Sequence, residues 1–214
     1  MVSVDSVTQA VPPKKFQFVG GELCLDFCNS VGGKRGAVAR ENLHRYTDLL
    51  SWSEQAGLLD KRQADAMLRK AERQGREAAA VLRRAIVLRE VVYRIFLALI
   101  EQQKPQPADL ARLNSELGAV LGRLRVVPDK DSAFVWEWEK GNHALDYPLG
   151  PIARSAADLL TEHHLLAHVS QCEGDNCGWL FLDASKNHSR CWCDMRDCGN
   201  RAKVRRYRLK QRAG

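Results

Sequence analysis

Four cysteines, Cys172, Cys177, Cys193 and Cys198, fall in two C-x4-C pairs separated by fifteen residues near the C-terminal end of this 214-residue sequence. Two short knuckles at that spacing suit one tetrahedral four-sulfur zinc site. Such a site has a closed shell and leaves no open position for catalysis, so a single zinc ion is expected to be structural. Cys191, two residues before Cys193, is the alternative third ligand; Cys193 restores the x4 spacing. His163, His164, His168 and His188 lie nearby in sequence, but four cysteines already complete the shell. Arg190, Arg196, Arg201 and Lys203 are placed to offset the excess negative charge of four thiolates.

Between the pairs, residues 178–183 read as a short apolar strand, 184–189 as a polar turn and 189–193 as the returning strand of a hairpin. After Cys198 no breaker interrupts residues 201–212. Knuckle, hairpin and a helix carrying the last ligand at its start give the layout of a treble-clef finger. The helix would carry Arg201, Arg205, Arg208 and Arg212 along one stripe and Lys203, Arg206 and Lys210 along another.

Charge singles out the same segment. Residues 184–214 hold ten Lys and Arg against two acidic residues, a net of +8, whereas the other 183 residues sum to −1. A neutral body with one cationic element points to a polyanion partner, with those seven helical cations as the contacts. Seven cysteines, an odd number with four in metal spacing, fit a reducing compartment better than a disulfide framework. Residues 1–13 read as a disordered lead-in without the apolar core of a signal peptide, and no stretch is long enough to span a membrane. The expectation is a cytoplasmic protein.

The body, residues 14–168, reads as mainly helical with small β elements, ahead of the finger at 169–214. Residues 16–19 form a candidate strand, Gly20-Gly21 a turn, and 23–30 an apolar helix. The loop at 31–36 lacks the spacing of a phosphate-binding loop and reads as a flexible connector. Helices are expected over residues 41–56, 60–75 after an Asp60 cap, 77–103, 108–121 and 149–168. Residues 123–127 and 133–139 change to period two and form a hairpin, with Phe134, Trp136 and Trp138 on one face. That face could stack bases, but Glu137 and Glu139 opposite it would repel phosphate, and the core is the preferred destination.

No hydrolase, metalloprotease, deaminase or dinucleotide signature occurs, and no enzyme activity is expected. Cys24 and Cys28 read as buried small hydrophobes. Asp26 and Asn29 are polar residues on an apolar helix; they could line a ligand pocket or bond buried backbone.

The run from Cys172 through Gly178-Trp-Leu-Phe-Leu-Asp183, and that from Ser189-Arg-Cys-Trp-Cys193 to Cys198-Gly-Asn-Arg201, resemble the bacterial CGNR zinc finger. The upstream Gly20-Gly-Glu-Leu-Cys-Leu-Asp26-Phe-Cys-Asn29-Ser is similar to the start of the ABATE domain that precedes such fingers. The resemblance implies a stress-related transcription regulator whose finger binds zinc and DNA, with ligands Cys172, Cys177, Cys193 and Cys198. Cys191 stands where the family commonly has a basic residue. The reading is thus a zinc-dependent, double-stranded-DNA-binding regulator whose helical body serves dimerisation or signal sensing. Structured RNA as the target, or a small molecule held by the body, are the alternatives.

Overall fold

The computed structural model describes residues 15–37, 39–129, 133–139 and 144–213. The reading of residues 1–13 as a disordered lead-in lies outside them. Helix α1 (Leu23–Cys28) is short but central, and Cys24, Leu25, Phe27 and Cys28 have no exposed surface. Around it pack α4 (Gly75–Ile100), α6 (Leu149–Thr161) and the strand β4 (Leu180–Leu182). α5 (Pro107–Val120) lies against α4 and α6, while α2 (Tyr46–Gln55) and α3 (Lys61–Arg73) cover the other side of α4. Leu88, Val92, Ile95 and Phe96 of α4 point into this core.

Local chemistry sets several boundaries where the sequence places them. Asp60 accepts the Gln63 N–H (2.7 Å) and the Gln63 side chain accepts the Asp60 N–H (2.8 Å), a capping box that starts α3. Pro107 occupies the first turn of α5, where its missing N–H costs nothing. Elsewhere the expectations shift. α2 begins at Tyr46 rather than near 41, because the Glu41 carboxylate takes the N–H groups of Asn42 and Leu43 (2.8 Å each) and holds that stretch as a turn. The helix expected over 149–168 ends at Thr161, whose hydroxyl bonds the carbonyls of Ala157 and Asp158; a separate turn, α7 (His163–Leu166), follows. Residues 16–19 form no strand: the Phe16 N–H bonds the Gln55 side chain of α2 (3.0 Å) and Phe18 lies near Trp52.

The loop after α1 is not a free connector. Arg35 bonds Glu90 (2.7 Å) and the Cys28 carbonyl (2.8 Å), and its guanidinium lies 3.6 Å from the centre of the Tyr93 ring. Arg89, only 2% exposed, forks onto both Glu41 oxygens (2.8 and 2.6 Å). Two arginines therefore pin residues 31–42 to α4.

Strands β1 (Leu124–Pro128) and β2 (Phe134–Trp138) pair antiparallel, with Val126 opposite Trp136. Their aromatic face is not core, contrary to the preferred reading. Phe134 is 74% and Trp136 57% exposed, because among the described residues the hairpin is anchored mainly at its base. Trp138 seats on the body, so close to Gly150 that a Cβ there would sit 2.8 Å from the indole, and Trp136 meets it through Arg154 of α6, whose guanidinium lies 5.0 Å from the centre of its ring. The β1–β2 turn expected at Pro128 to Asp131 lies partly outside the described residues.

The second hairpin also differs from expectation. β4 pairs with β3 (Val169–Gln171), upstream of the first cysteine, and not with residues 189–193. The other edge of β4 is already filled. Leu182 donates to the Gly20 carbonyl (2.7 Å), and the Asn29 side chain accepts from Leu180 N–H (2.9 Å) and donates to its carbonyl (2.8 Å). An amide side chain here does the work of a neighbouring strand.

Candidate metal centre and nucleic-acid interface

The first knuckle is the connection between β3 and β4. Cys172 N–H bonds the Trp179 carbonyl (2.8 Å), closing the hairpin, and Cys177 N–H bonds the Gly174 carbonyl (2.9 Å), closing a tight turn inside it. Glu173 N–H bonds the Cys191 carbonyl (3.0 Å), joining the two knuckles. In the second knuckle, Asp194 accepts the Arg196 N–H (2.7 Å) and opens a wide turn, Met195–Gly199, that carries Cys198. Helix α8 (Asn200–Ala213) continues from it.

These turns bring Cys172, Cys177, Cys193 and Cys198 together, their sulfurs all within 4.8 Å of one another. The separations of 3.7 Å for Cys177–Cys193 and 3.6 Å for Cys193–Cys198 match the roughly 3.8 Å edge of a tetrahedron with Zn–S bonds of about 2.3 Å. Cys172, Cys193 and Cys198 are buried and Cys177 is half-buried. The set fits one structural zinc ion, and among the described residues no fifth ligand joins it. Hydrogen bonds from the Cys177 and Cys193 thiols draw the Cys172 thiol well below the ordinary range, while the same contacts raise those of Cys177 and Cys193 and burial raises that of Cys198, so a cation bound by four thiolates would displace protons from the cluster. Cys191 stands apart, its sulfur pointing at the Ser189 carbonyl (3.6 Å), which decides the third ligand for Cys193.

Neighbouring residues are shaped by the sulfurs. A Cβ at Gly174 would lie 3.2 Å from Cys198 Sγ, and the Gly174 N–H points at Cys172 Sγ (3.5 Å). In Cys198-Gly-Asn-Arg201, Asn200 bonds the Arg196 carbonyl (3.0 Å), while Arg201 bonds Asp197 (2.9 Å) and Cys198 Sγ (3.4 Å). Arg201 therefore offsets thiolate charge as expected. Arg190 does something else: it lies over Phe181 (4.3 Å) and bonds the carbonyls of Val19, Trp192 and Cys193, tying the finger to the N-terminal segment.

The seven cations of α8, Arg201, Lys203, Arg205, Arg206, Arg208, Lys210 and Arg212, are all exposed. At 3.6 residues per turn, positions 201, 205, 208 and 212 fall within about 60° of one another, as do 203, 206 and 210 on the far side. The arginine stripe borders a groove of about 390 Å³ between α8 and the first knuckle, lined also by Trp192 and Asp175.

Asp26 and Asn29 are both engaged with backbone. Asn29 is spent on Leu180, and Asp26 accepts the N–H of Gly20 (2.7 Å). A Cβ at Gly20 would lie 2.8 Å from the Asp26 nitrogen, so the paired glycines permit this approach. Both side chains hydrogen-bond backbone, the reading that competed with a ligand site. Burial pushes the Asp26 carboxyl up to about 6, against the lowering effect of the Gly20 and Val19 N–H groups. A raised folded value means that the native state holds the proton longer than the unfolded chain. Stability is then fully present below the unfolded value and declines as pH rises through about 6. Asp26→Asn should flatten that decline in unfolding midpoints measured from pH 4 to 7; an unchanged slope would refute the assignment.

Sequence reasoning missed Asn29 as a strand surrogate, Asp175 beside α8, and Trp179, whose indole N–H bonds the Val31 carbonyl (2.7 Å). Only the oddity of a polar residue in an apolar stretch signalled the first; the other two depend on contacts across the chain.

Two family models match. ABATE, described as "Putative stress-induced transcription regulator", covers residues 21–163, and the CGNR zinc finger covers residues 168–211. Comparison with curated proteins finds no match. Among the described residues no helix is long and apolar enough to cross a membrane. The two matches join a helical body packed on α1 to the four-sulfur centre, and the chain belongs to the ABATE family, carrying a CGNR zinc finger at its C-terminal end.

Proposed function

We propose that this protein is a cytoplasmic transcription regulator that binds double-stranded DNA through α8. The observation that carries the reading is a helix with seven exposed cations that continues directly from the turn bearing the last of the four cysteines, on a chain whose remaining residues are close to neutral. Zinc would fix the helix against the knuckles, and the cations would meet phosphates and base edges. In the same reading the protein is not an enzyme, since a closed sulfur shell gives a metal no site for substrate.

Each phosphate neutralised releases counterions, so if about five cations engage, log affinity against log salt should slope near roughly −4.5. Fluorescence anisotropy of a labelled duplex at several salt concentrations measures this. A slope near zero would defeat the electrostatic reading.

Structured RNA is the second reading, favoured by Tyr207, 66% exposed on α8, and by Trp192 at the groove, which offer stacking surfaces to unpaired bases. Competition between duplex DNA and RNA of equal length separates the two. For the body, the exposed face of Phe134, Trp136 and Val126 supports homodimerisation, which sedimentation of the wild type and of Trp136→Asp tests.

A further inference from the structure

The cations of α8 are not equivalent. Among the described residues, Lys203, Arg206, Arg208, Lys210 and Arg212 form no ion pair, whereas Arg201 is held by Asp197 and Arg205 by Asp175. The Arg201 contact lies within one helical turn and beside a zinc ligand. That of Arg205 reaches across the groove to another element.

Both ends of this second contact are registered by the metal site. Asp175 sits in the turn that Cys177 N–H closes onto the Gly174 carbonyl, between the ligands Cys172 and Cys177. Arg205 lies two turns beyond Cys198, on the helix that continues from the wide turn carrying that ligand. A zinc ion held by Cys172, Cys177, Cys193 and Cys198 would therefore fix the carboxylate relative to the guanidinium. Both side chains are more than half exposed, so the pair contributes little to stability. For an arginine meant for phosphate, a neighbouring carboxylate would be a handicap, since it repels the same anion. It helps an arginine that must present its planar fork at one angle, because the fork has donors to spare and orienting it beforehand reduces the entropy lost on contact. A fixed fork suits the O6 and N7 acceptors of guanine in the major groove.

We propose that Arg205 reads a guanine edge and that Asp175 is the positioning residue that orients it, while the unpaired cations of α8 contact phosphate. The proposal rests on the duplex-DNA reading above and adds to it which residue specifies sequence.

The test uses the full-length, zinc-loaded protein. Duplexes are enriched from a random-sequence pool, and affinities are then measured for an enriched duplex, for the same duplex with each guanine changed in turn to adenine or 7-deazaguanine, and for a scrambled one. One guanine should matter through its N7. Asp175→Ala should reduce discrimination at that guanine by roughly ten-fold while binding the scrambled duplex as well as or better than wild type, with zinc content unchanged. Arg205→Lys should lose the same discrimination and keep the salt slope. Arg208→Ala should instead weaken both duplexes equally and make the slope shallower by about 0.9. Retained discrimination in Asp175→Ala, an equal loss on both duplexes, or a wild type that binds duplexes without base preference would each overturn the proposal and leave the duplex-DNA reading standing. A wild type that binds no duplex would overturn both.

Discussion

Cys198→Ser should cost the protein its zinc and the order of residues 191–212, and leave the helical body folded. The small cluster buried within the finger consists of Cys172, Phe181, Cys193 and Cys198, so three of its four members are ligands. Without metal, Phe181 has little to pack on. Structural zinc supplies about 10–16 kcal/mol of apparent binding free energy in such fingers, far more than the flanking Trp179 and Trp192 could return by burial. α8 is 14 residues long and exposed almost throughout, a length at which an isolated helix is marginal in water, and its like charges repel. The β3–β4 hairpin should behave differently. Val169 and Leu180 belong to the core of the body, and the Asn29 amide holds β4 from the other side. Elemental analysis should give one zinc per chain for wild type and none for the variant. Amide exchange should show protection lost over 191–212 and kept over 169–171 and 180–182, while far-UV circular dichroism should lose a signal corresponding to α8 alone. Collapse of the whole helical signal would show that body and finger fold as one unit.

That boundary between what the metal holds and what the body holds could not be read from the sequence. The four ligands could, because cysteine spacing is a local property, and so could the Asp60 cap and the start of α5 at Pro107. Helix ends at Tyr46 and Thr161 were misplaced because side chains, Glu41 and Thr161, compete for backbone groups in ways that apolar periodicity does not register. The pairing of β4 was misassigned for a longer-range reason. Its partner β3 precedes the first knuckle, and its other edge is closed by Asn29, which lies 151 residues away in sequence. The aromatic face of β2 shows the limit of alternation as a signal: period two identifies a face, but whether anything packs on it depends on where the hairpin leaves the body. Asp175 was invisible, and Arg190 was given the wrong role, for the same reason, since each acts on a residue of another element.

Glu41→Ala should destabilise the body by about 3 kcal/mol, a fall in melting temperature on the order of 10 °C. Arg89 is 2% exposed and takes both oxygens of Glu41. Removing the carboxylate leaves a buried guanidinium with Glu90 (2.8 Å) as its remaining acidic partner, which places the cost at the lower end for breaking a buried pair. Burial alone would raise the Glu41 carboxyl. The hydrogen bonds from Arg89 and from the Leu43 and Asn42 N–H groups outweigh it and bring the group down to about 2. With the folded value depressed, the stabilisation is fully present above the ordinary carboxylate value of about 4.5 and is lost as pH falls through about 2. Wild type should therefore lose stability on acidification across that window, and Glu41→Ala should lose less. Replacing Glu41 and Arg89 together with methionine should recover much of the loss at neutral pH, since an apolar pair leaves no charge unpaired. The consequence extends to the finger. Loop 31–42 supplies the Val31 carbonyl to Trp179, and Arg35 lies over Tyr93, whose hydroxyl accepts from Gln171 of β3 (2.8 Å). Loosening that loop should raise amide exchange at the base of the β3–β4 hairpin while leaving zinc content at one per chain, and unchanged exchange there would mean that the network stabilises the body alone.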